Sequence, residues 1–353
     1  MALYDAVADL DLVVDDWELS LRERDTSSGF VRTTTVFELR GDGAVGRGED
    51  VTYEESHHHA LVEDEPDFEL AGEYAFDEFS QAVGNLDLFP AGAPDRDVFR
   101  NYRRWGVESA ALDLALRQAD LSLADALDES YDPVRFVAST RLGDPPTLDR
   151  IDALREVDAD MEFKLDPTPD WTPEIIEELA ETDAVRILDL KGQYEGTEVD
   201  VAADPELYER LIDAFDETVI EDPDLTDETR PIVDDAADRV SWDAPIHGIE
   251  DVEALPWEPD WLNIKPSRFG SVRSLFETIE YAAERDVELY GGGQFELGVG
   301  RQHIQLLASL FYPDGPNDVA PRAYNDPELG DDLPTSPLAP PDDALGLSWR
   351  EDV

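Results

Sequence analysis

Between Trp17 and Glu49 apolar and polar residues alternate in WELSLRER and in VRTTTVFELR, which are separated by the polar loop DTSSGF and followed by the turn GDG and by VGRGE. A period of two marks half-buried strands, so this stretch predicts an antiparallel sheet within a small α+β domain. The period then lengthens. Asp77 to Leu88 and Trp105 to Ala119 carry apolar residues at helical spacing, with WGVESAALDLALRQA apolar along one face. From Pro133 onward short β-rich runs alternate with amphipathic acidic helices. The runs are VRFVAST, MEFKL, AVRILDL, ETVIED, DRVSWD, DWLNIK and VELYGG. Repeated strand–helix alternation of this kind implies a parallel sheet, and closing it into a barrel is the economical way to cover it. An eighth strand is expected near NDVAP, after a helix from Arg301 to Leu310.

The chain has 353 residues and 41% hydrophobic content, enough for a barrel-sized domain and a smaller one. Charge changes the picture. Asp and Glu number 86 against 27 Lys and Arg, a formal charge of -59 spread from end to end. Such a field disfavours a nucleic-acid partner. Regular apolar segments and 7 tryptophans argue against a disordered, self-repelling chain. The acidity is therefore read as adaptation to high salt, in which a surface dense in carboxylates stays soluble because its repulsion is screened. Lysine is almost absent: Lys164, Lys191 and Lys265 are the whole complement. The absence of cysteine excludes disulfides, thiolate metal sites and a cysteine nucleophile. The start MALYDAVADLDLVVDD lacks a basic region followed by an apolar run, and no stretch approaches the ~18 apolar residues of a membrane span. A cytoplasmic protein without a membrane partner is expected, and assembly into a homo-oligomer is left open.

In a barrel of parallel strands the carboxyl ends open onto the active site. Here those ends are charged: Lys164 closes strand two, Asp189 strand three with Lys191 two places on, Glu221 and Asp222 strand four, Asp243 strand five and Lys265 strand six. The acids alone read equally well as solvated charges at loop starts. The lysines do not, because each falls at the end of a different strand in a chain that otherwise uses arginine. An amine that can lose a proton, which arginine effectively cannot do, gives a reason for keeping them. Asp189, Glu221 and Asp243 come from adjacent strands and can converge on a hard cation. Magnesium suits an all-oxygen set, with manganese as the alternative. Lys164 and Lys265 flank the acids and would face each other across a bound substrate. A lysine whose pKa is lowered by a metal and by a second ammonium is a usable general base. The arrangement suits proton abstraction next to a carboxylate.

These residues resemble the enolase superfamily, and within it the branch of muconate cycloisomerase, o-succinylbenzoate synthase and N-acylamino acid racemase. GDGAVGRGED is similar to the end of that family's capping-domain sheet, VESAALDLALR to the helix entering its barrel, and FKLDPTPDW to its lysine-bearing second strand. ILDLKGQY, VIEDP, VSWDAPI and LNIKPSRFGS are similar to strands three to six, and GGGQFELGVGR to the segment after strand seven. The resemblance implies an α/β fold, a (β/α)7β TIM-like barrel with an N-terminal α+β capping domain. Residues 1–104 would form the cap, completed by the tail 322–353, and residues 105–321 the barrel. It implies Asp189, Glu221 and Asp243 as ligands of Mg2+, Lys164 and Lys265 as the acid/base pair, and a small-molecule carboxylate as substrate. The expected activity is that of a lyase or isomerase performing dehydration, racemisation or epimerisation, or cycloisomerisation. A non-catalytic relative kept for binding or structure, and an enolase-type hydratase, are the alternatives.

Two positions depart from the family. Its second strand carries K-x-K, where this chain has Glu162 in the first place, and its third strand reads D-x-N, where this chain has Lys191. Either Lys191 supplies the charge of the missing lysine, or it forms an ion pair with Glu162 or Asp222. Gln294 and Glu296 are candidates for touching substrate or bonding the lysines, and Arg268 for pairing with a substrate carboxylate or with Glu221. His247 reads as structural, and His57, His58 and His59 as a surface loop.

Overall fold

The computed structural model describes residues 2–64, 66–194, 196, 201–330 and 332–349. The alternating segment forms the expected sheet. β1 (Asp11–Val14) pairs antiparallel with a later strand, and β2 (Asp16–Asp25), β3 (Val31–Gly41) and β4 (Ala44–Asp50) build an antiparallel meander. β5 (Gly72–Ala75) is the partner of β1. The 21-residue helix Val98–Gln118 lies across β4, buried along most of its length. Gly46 and Gly48, on one face of β4, permit this: a Cβ at either would collide with the carbonyls of Ala110 and Gly106.

Seven parallel strands follow in sequence order: β6 (Ala138–Thr140), β7 (Phe163–Leu165), β8 (Val185–Asp189), β9 (Val219–Glu221), β10 (Val240–Trp242), β11 (Trp261–Ile264) and β12 (Glu288–Gly291). Each lies in one of the expected runs. β7, β9 and β10 are buried at every position, as strands covered on both faces must be. Thr172 and Asp204 accept the N–H of Ile175 and Leu207 and so cap helices Pro173–Glu181 and Pro205–Ala214, with proline in the first helical turn of each.

The segment NDVAP adds no regular strand. Instead Phe136 makes one parallel bridge to Asn317, Val137 N–H donates to Asn317 O at 2.8 Å, and Asp318 N–H donates to Gly291 O at 2.8 Å. Residues 317–318 thereby sit between β12 and β6 and close the ring. Pro316 and Pro321 leave no room for a longer ladder, since neither can donate to one. The Asn317 side chain compensates: its Oδ1 accepts Gly291 N–H at 2.6 Å, and its Nδ2 donates to carbonyls of Arg135 and Tyr312, both at 2.9 Å.

Val137, Ile187, Val219 and Tyr290 fill the barrel interior as an apolar floor beneath the rim. Outside it, one continuous apolar cluster runs from Leu12 and Phe37 of the N-terminal sheet to Trp349. The fold is thus a TIM-like barrel with an N-terminal capping domain. No described helix is long and apolar enough to cross a membrane.

Candidate active site

Asp189 and Glu221 stand directly opposite each other on neighbouring strands, and both are fully buried. Like charges in that register repel. The Lys164 ammonium, 2% exposed, lies between them, hydrogen-bonded to Glu221 and 3.2 Å from Asp189 Oδ2. Lys191 bonds the same Asp189 oxygen and reaches Asp166 Oδ1 at 3.6 Å. On the far side Lys265 holds Asp243 Oδ2 at 2.7 Å, joined by Arg268 at 3.2 Å and by the Tyr194 hydroxyl at 2.8 Å. The three lysines therefore meet at one rim, each on a carboxylate.

Asp189, Glu221 and Asp222 offer oxygens within 4.8 Å of one another. Asp222, at φ +50°, is nevertheless occupied: its two oxygens accept the N–H of Asp243 and of Ala244, each at 2.9 Å. It thus fixes where the chain turns after β10, and with it the Asp243 carboxylate. Asp243 Oδ1 is buried without a hydrogen-bond partner, although Arg268 Nε lies 3.2 Å away. An all-oxygen donor set with one orphaned buried carboxylate oxygen fits a hard divalent cation such as magnesium.

The electrostatics divide these carboxyls. Burial pushes Glu221 up to about 8, with the charge of Asp189 adding to it and Lys164 opposing it. Burial and then Asp243 push Asp222 up to about 7. Burial would also raise Asp189, but Lys191 and Lys164 more than offset it and hold the carboxyl well below its ordinary range. Arg268 and Lys265 do the same for Asp243. Burial would lower Lys164, yet Glu221 and Asp189 hold its ammonium well above the ordinary lysine range. Among the protein's own groups, therefore, the lowered lysine pKa expected from the sequence is not met for Lys164. Lys191 is raised as well, by Asp166 and Asp189 against the effect of burial, and so stays an ammonium beside Lys164.

Other expectations are redrawn. Glu162 pairs with neither Lys191 nor the rim: Arg135 clasps both its oxygens at 2.6 and 2.7 Å, and Arg186 adds a bond of 2.7 Å. Lys191 pairs with Asp189 and Asp166, not with Glu162 or Asp222. A register shift between Phe163 and Lys164 in β7 accompanies this split between the two ends of the strand. Arg268 takes Asp243 rather than Glu221. Gln294 bonds no lysine; its Oε1 accepts from Tyr53 at 3.0 Å and its Nε2 donates to Tyr102 at 3.2 Å. Glu296 accepts from Gln294 N–H at 2.6 Å and lies 3.3 Å from Arg301, again without a lysine. His57, His58 and His59 are in helix Glu55–Asp64 rather than a loop, and buried His58 bonds Thr35 at 2.9 Å and Thr52 O at 2.7 Å. His247 is 3.0 Å from Pro245 O, which suits the structural reading.

Several residues went unnoticed in the sequence. Tyr290 rises from the floor to donate to Glu221, and Asn263 Nδ2 reaches the same oxygen at 3.2 Å. Asp318, on the closing segment, faces the charges of Lys164, Lys265, Arg301 and Lys191, which oppose the rise that burial gives its carboxyl. Glu49, buried in β4, accepts the N–H of Leu297, Gly298 and Gly300 at 2.7, 3.0 and 2.8 Å, so the cap holds the start of helix Val299–Phe311. Only Asn263 carried a local signal, as the polar residue in an apolar strand run.

Residues 5–126 match the model of the N-terminal domain of a domain of unknown function, DUF8230, and residues 130–326 match that of its C-terminal domain. The chain belongs to the DUF8230 family. No curated protein matches its sequence. Among solved structures, a member of the enolase superfamily from Listeria innocua Clip11262 is 18% identical with a TM-score of 0.66, over 95% of this chain and 94% of that one. A dipeptide epimerase from Methylococcus capsulatus, complexed with a magnesium ion, is 17% identical with a TM-score of 0.65, over 86% and 88% of the two chains. The muconate lactonizing enzyme from Pseudomonas putida is 21% identical with a TM-score of 0.59, over 82% of each. This DUF8230 chain shares the fold of those enolase-superfamily structures.

Proposed function

We propose that the chain is a magnesium-dependent lyase or isomerase that removes the α-proton of a carboxylate substrate. The observation that carries this reading is the placement of Lys164 and Lys265. They belong to β7 and to the end of β11, four strands apart in a ring closed at its eighth position, with Asp189, Glu221 and Asp243 on the strands between. Two amines on opposite sides of a carboxylate cluster suit proton removal from one face of a substrate and proton return to the other.

Asp189, Glu221 and Asp243 would hold the ion, with Asp222 fixing Asp243 and Tyr290 and Asn263 fixing Glu221. When bound, magnesium, or manganese in its place, would neutralise the carboxylates that now raise Lys164 and draw electron density from the substrate carboxylate. Lys164 as free amine accepts the α-proton, and the C–H electron pair moves into the adjacent carboxylate group. Lys265, as ammonium, faces that charge and either returns a proton or stabilises it while a β-substituent leaves. Arg268 stays with Asp243 and keeps its carboxylate ionised. We further infer a cytoplasmic enzyme working in concentrated salt, with residues 1–104 and the tail as cap and 105–321 as catalytic barrel.

The test is proton exchange. The protein, in deuterated buffer with magnesium and molar KCl, should wash deuterium into the α-position of a subset of a carboxylate panel. Lys164→Ala and Lys265→Ala should each abolish this while melting cooperatively. Exchange that persists in both variants overturns the assignment, and none with any carboxylate favours a non-catalytic binding protein.

A further inference from the structure

Phe30, Val31 and Tyr53 are the exposed large hydrophobic residues among those described, at 37%, 55% and 41%. In a chain of charge -59 this is a conspicuous place to leave apolar surface in water. All three lie on one edge of the cap, and that edge meets the carboxyl end of the barrel. The Phe30 ring sits edge-on to Phe295, with centroids 5.4 Å apart, and Tyr53 donates its hydroxyl to Gln294. Gln294 and Phe295 lie three and four residues beyond the end of β12, on the side where the barrel strands end, so the patch adjoins the rim that carries the lysines.

A second observation concerns Arg32. Its guanidinium, 1% exposed, lies 4.3 Å from the centroid of the Tyr53 ring. It donates to the carbonyls of Gln294, Thr33, Thr52 and Val51, and among the described residues no carboxylate comes within ion-pair distance of it. A fixed cation thus backs the ring of Tyr53, which also tilts against Phe99 with centroids 6.4 Å apart, and the residue as a whole keeps 41% of its surface in water.

We propose that the carboxylate substrate carries an aromatic group at its distal end, seated against Phe30, Tyr53 and Phe295. The inference rests on the carboxylate reading of the site given above and names the class of substrate for it. An aromatic ring suits the wall on two counts: it offers apolar area to Phe30 and Phe295, and its π-face stacks on a phenol ring already polarised by Arg32. Three side chains are too few for a second copy of the chain, since a stable interface buries about 800 Å² on each partner. The net charge of two such chains also opposes their approach. Burying a phenyl group here should tighten binding on the order of 10- to 100-fold.

The experiment compares 3-phenylpropanoate with propanoate as ligands of the full chain in magnesium and molar KCl, with affinities read by ligand-observed NMR titration. The expected result is at least a tenfold preference for the phenyl compound in the parent. Tyr53→Ala and Phe30→Ser should reduce it below threefold with propanoate affinity unchanged, and Tyr53→Phe should retain it. Phe30→Ser changes an exposed loop residue, so it reports on binding even if Tyr53→Ala folds poorly. Equal affinity of the two ligands, with Lys265→Ala weakening both, overturns the aromatic group and leaves the carboxylate reading standing. A preference that survives in both wall variants also overturns it. Binding of neither ligand overturns both.

Discussion

Replacing Lys164 by methionine keeps the aliphatic stem and removes the one ammonium that lies between Asp189 and Glu221. Both carboxylates have no accessible surface, so water cannot replace the lost charge. Removing one member of a buried ionic cluster costs about 3–5 kcal/mol. The lower end applies here, because Lys191 still holds Asp189 and because Glu221, already pushed up to about 8, can take a proton. The expected fall in Tm, at roughly 2 °C per kcal/mol for a chain of this size, is about 6 °C. Its pH dependence follows from the direction of the Glu221 shift. An acid whose folded pKa is raised contributes stability that is complete below its unfolded pKa, near 4.5, and is lost as pH rises through the folded value. Lys164→Met raises that folded value further, so its deficit should be nearly constant from pH 5 to pH 8 and widen as pH rises above about 8, where Glu221 ionises in the parent but not in the variant. Magnesium should stabilise each protein by about 2.7 kcal/mol at a hundredfold excess over its own Kd, and at equal concentration should stabilise the variant more, because no Lys164 ammonium competes for the carboxylates. Thermal melts in 2 M KCl at pH 5, pH 8 and about pH 9.5, with and without magnesium, read all three effects. A variant that melts within 1 °C of the parent at pH 8 without magnesium refutes the role given to the Lys164 charge.

Three further outcomes are expected. Glu49→Gln leaves one oxygen for three backbone donors and sets an amide N–H against the rest, and should destabilise the chain by about 2–3 kcal/mol in denaturant titration, loosening amide exchange at residues 297–300 first. His303 is buried, its Nδ1 has no hydrogen-bond partner, and burial followed by the Arg117 charge pushes it down to about 3. Its neutral form contributes stability that is present above the unfolded pKa near 6.5 and lost as pH falls toward 3, so the parent should weaken relative to His303→Phe by up to about 1.4 kcal/mol per pH unit below 6.5. Lowering KCl from molar to 0.1 M extends charge repulsion to about 10 Å and should lower Tm sharply at a net charge of -59; a Tm that is flat with salt removes the high-salt reading.

What could be read from the sequence was whatever repeats locally. The β-rich runs gave every barrel strand because a strand buried on both faces has to be written in apolar residues. The lysines were visible because the rest of the chain avoids them. The place where the ring closes was expected, near NDVAP, but not its form: a single bridge at Asn317 in place of a strand leaves no periodic trace, and its strength comes from a side chain that bonds three parts of the backbone. Glu49 likewise lies in an alternating strand, and nothing near it announces that its partners are some 250 residues away. The histidine run was misread for a simpler reason. A surface loop would leave all three side chains outside, whereas the helical turn of Glu55–Asp64 sends His58 inward to Thr35 and Thr52 and leaves its neighbours nearer the surface.

The use of lysine and arginine also has a geometric side. Buried arginines occur where several acceptors are spread around a plane: Arg32 meets four carbonyls, and Arg103 meets Asp50 together with the carbonyls of Leu88 and His57. The rim offers nothing of that shape at Asp189 and Glu221, only two carboxylates converging from adjacent strands on a space one ammonium wide. A guanidinium there would need acceptors that the barrel wall does not provide, because the wall's carbonyls are committed to neighbouring strands. Scarcity of lysine therefore does not by itself prove catalysis, since packing alone would keep Lys164 as lysine. Lys265 does not separate the two accounts by geometry. It holds Asp243 at 2.7 Å beside Arg268, and its charge also opposes the rise that burial gives Glu221 and Asp318, so a rim with more carboxylates than cations has a structural use for it. The two accounts part at the proton: a lysine kept for charge balance alone leaves α-proton exchange absent in the parent, whereas a lysine that transfers protons makes exchange depend on it.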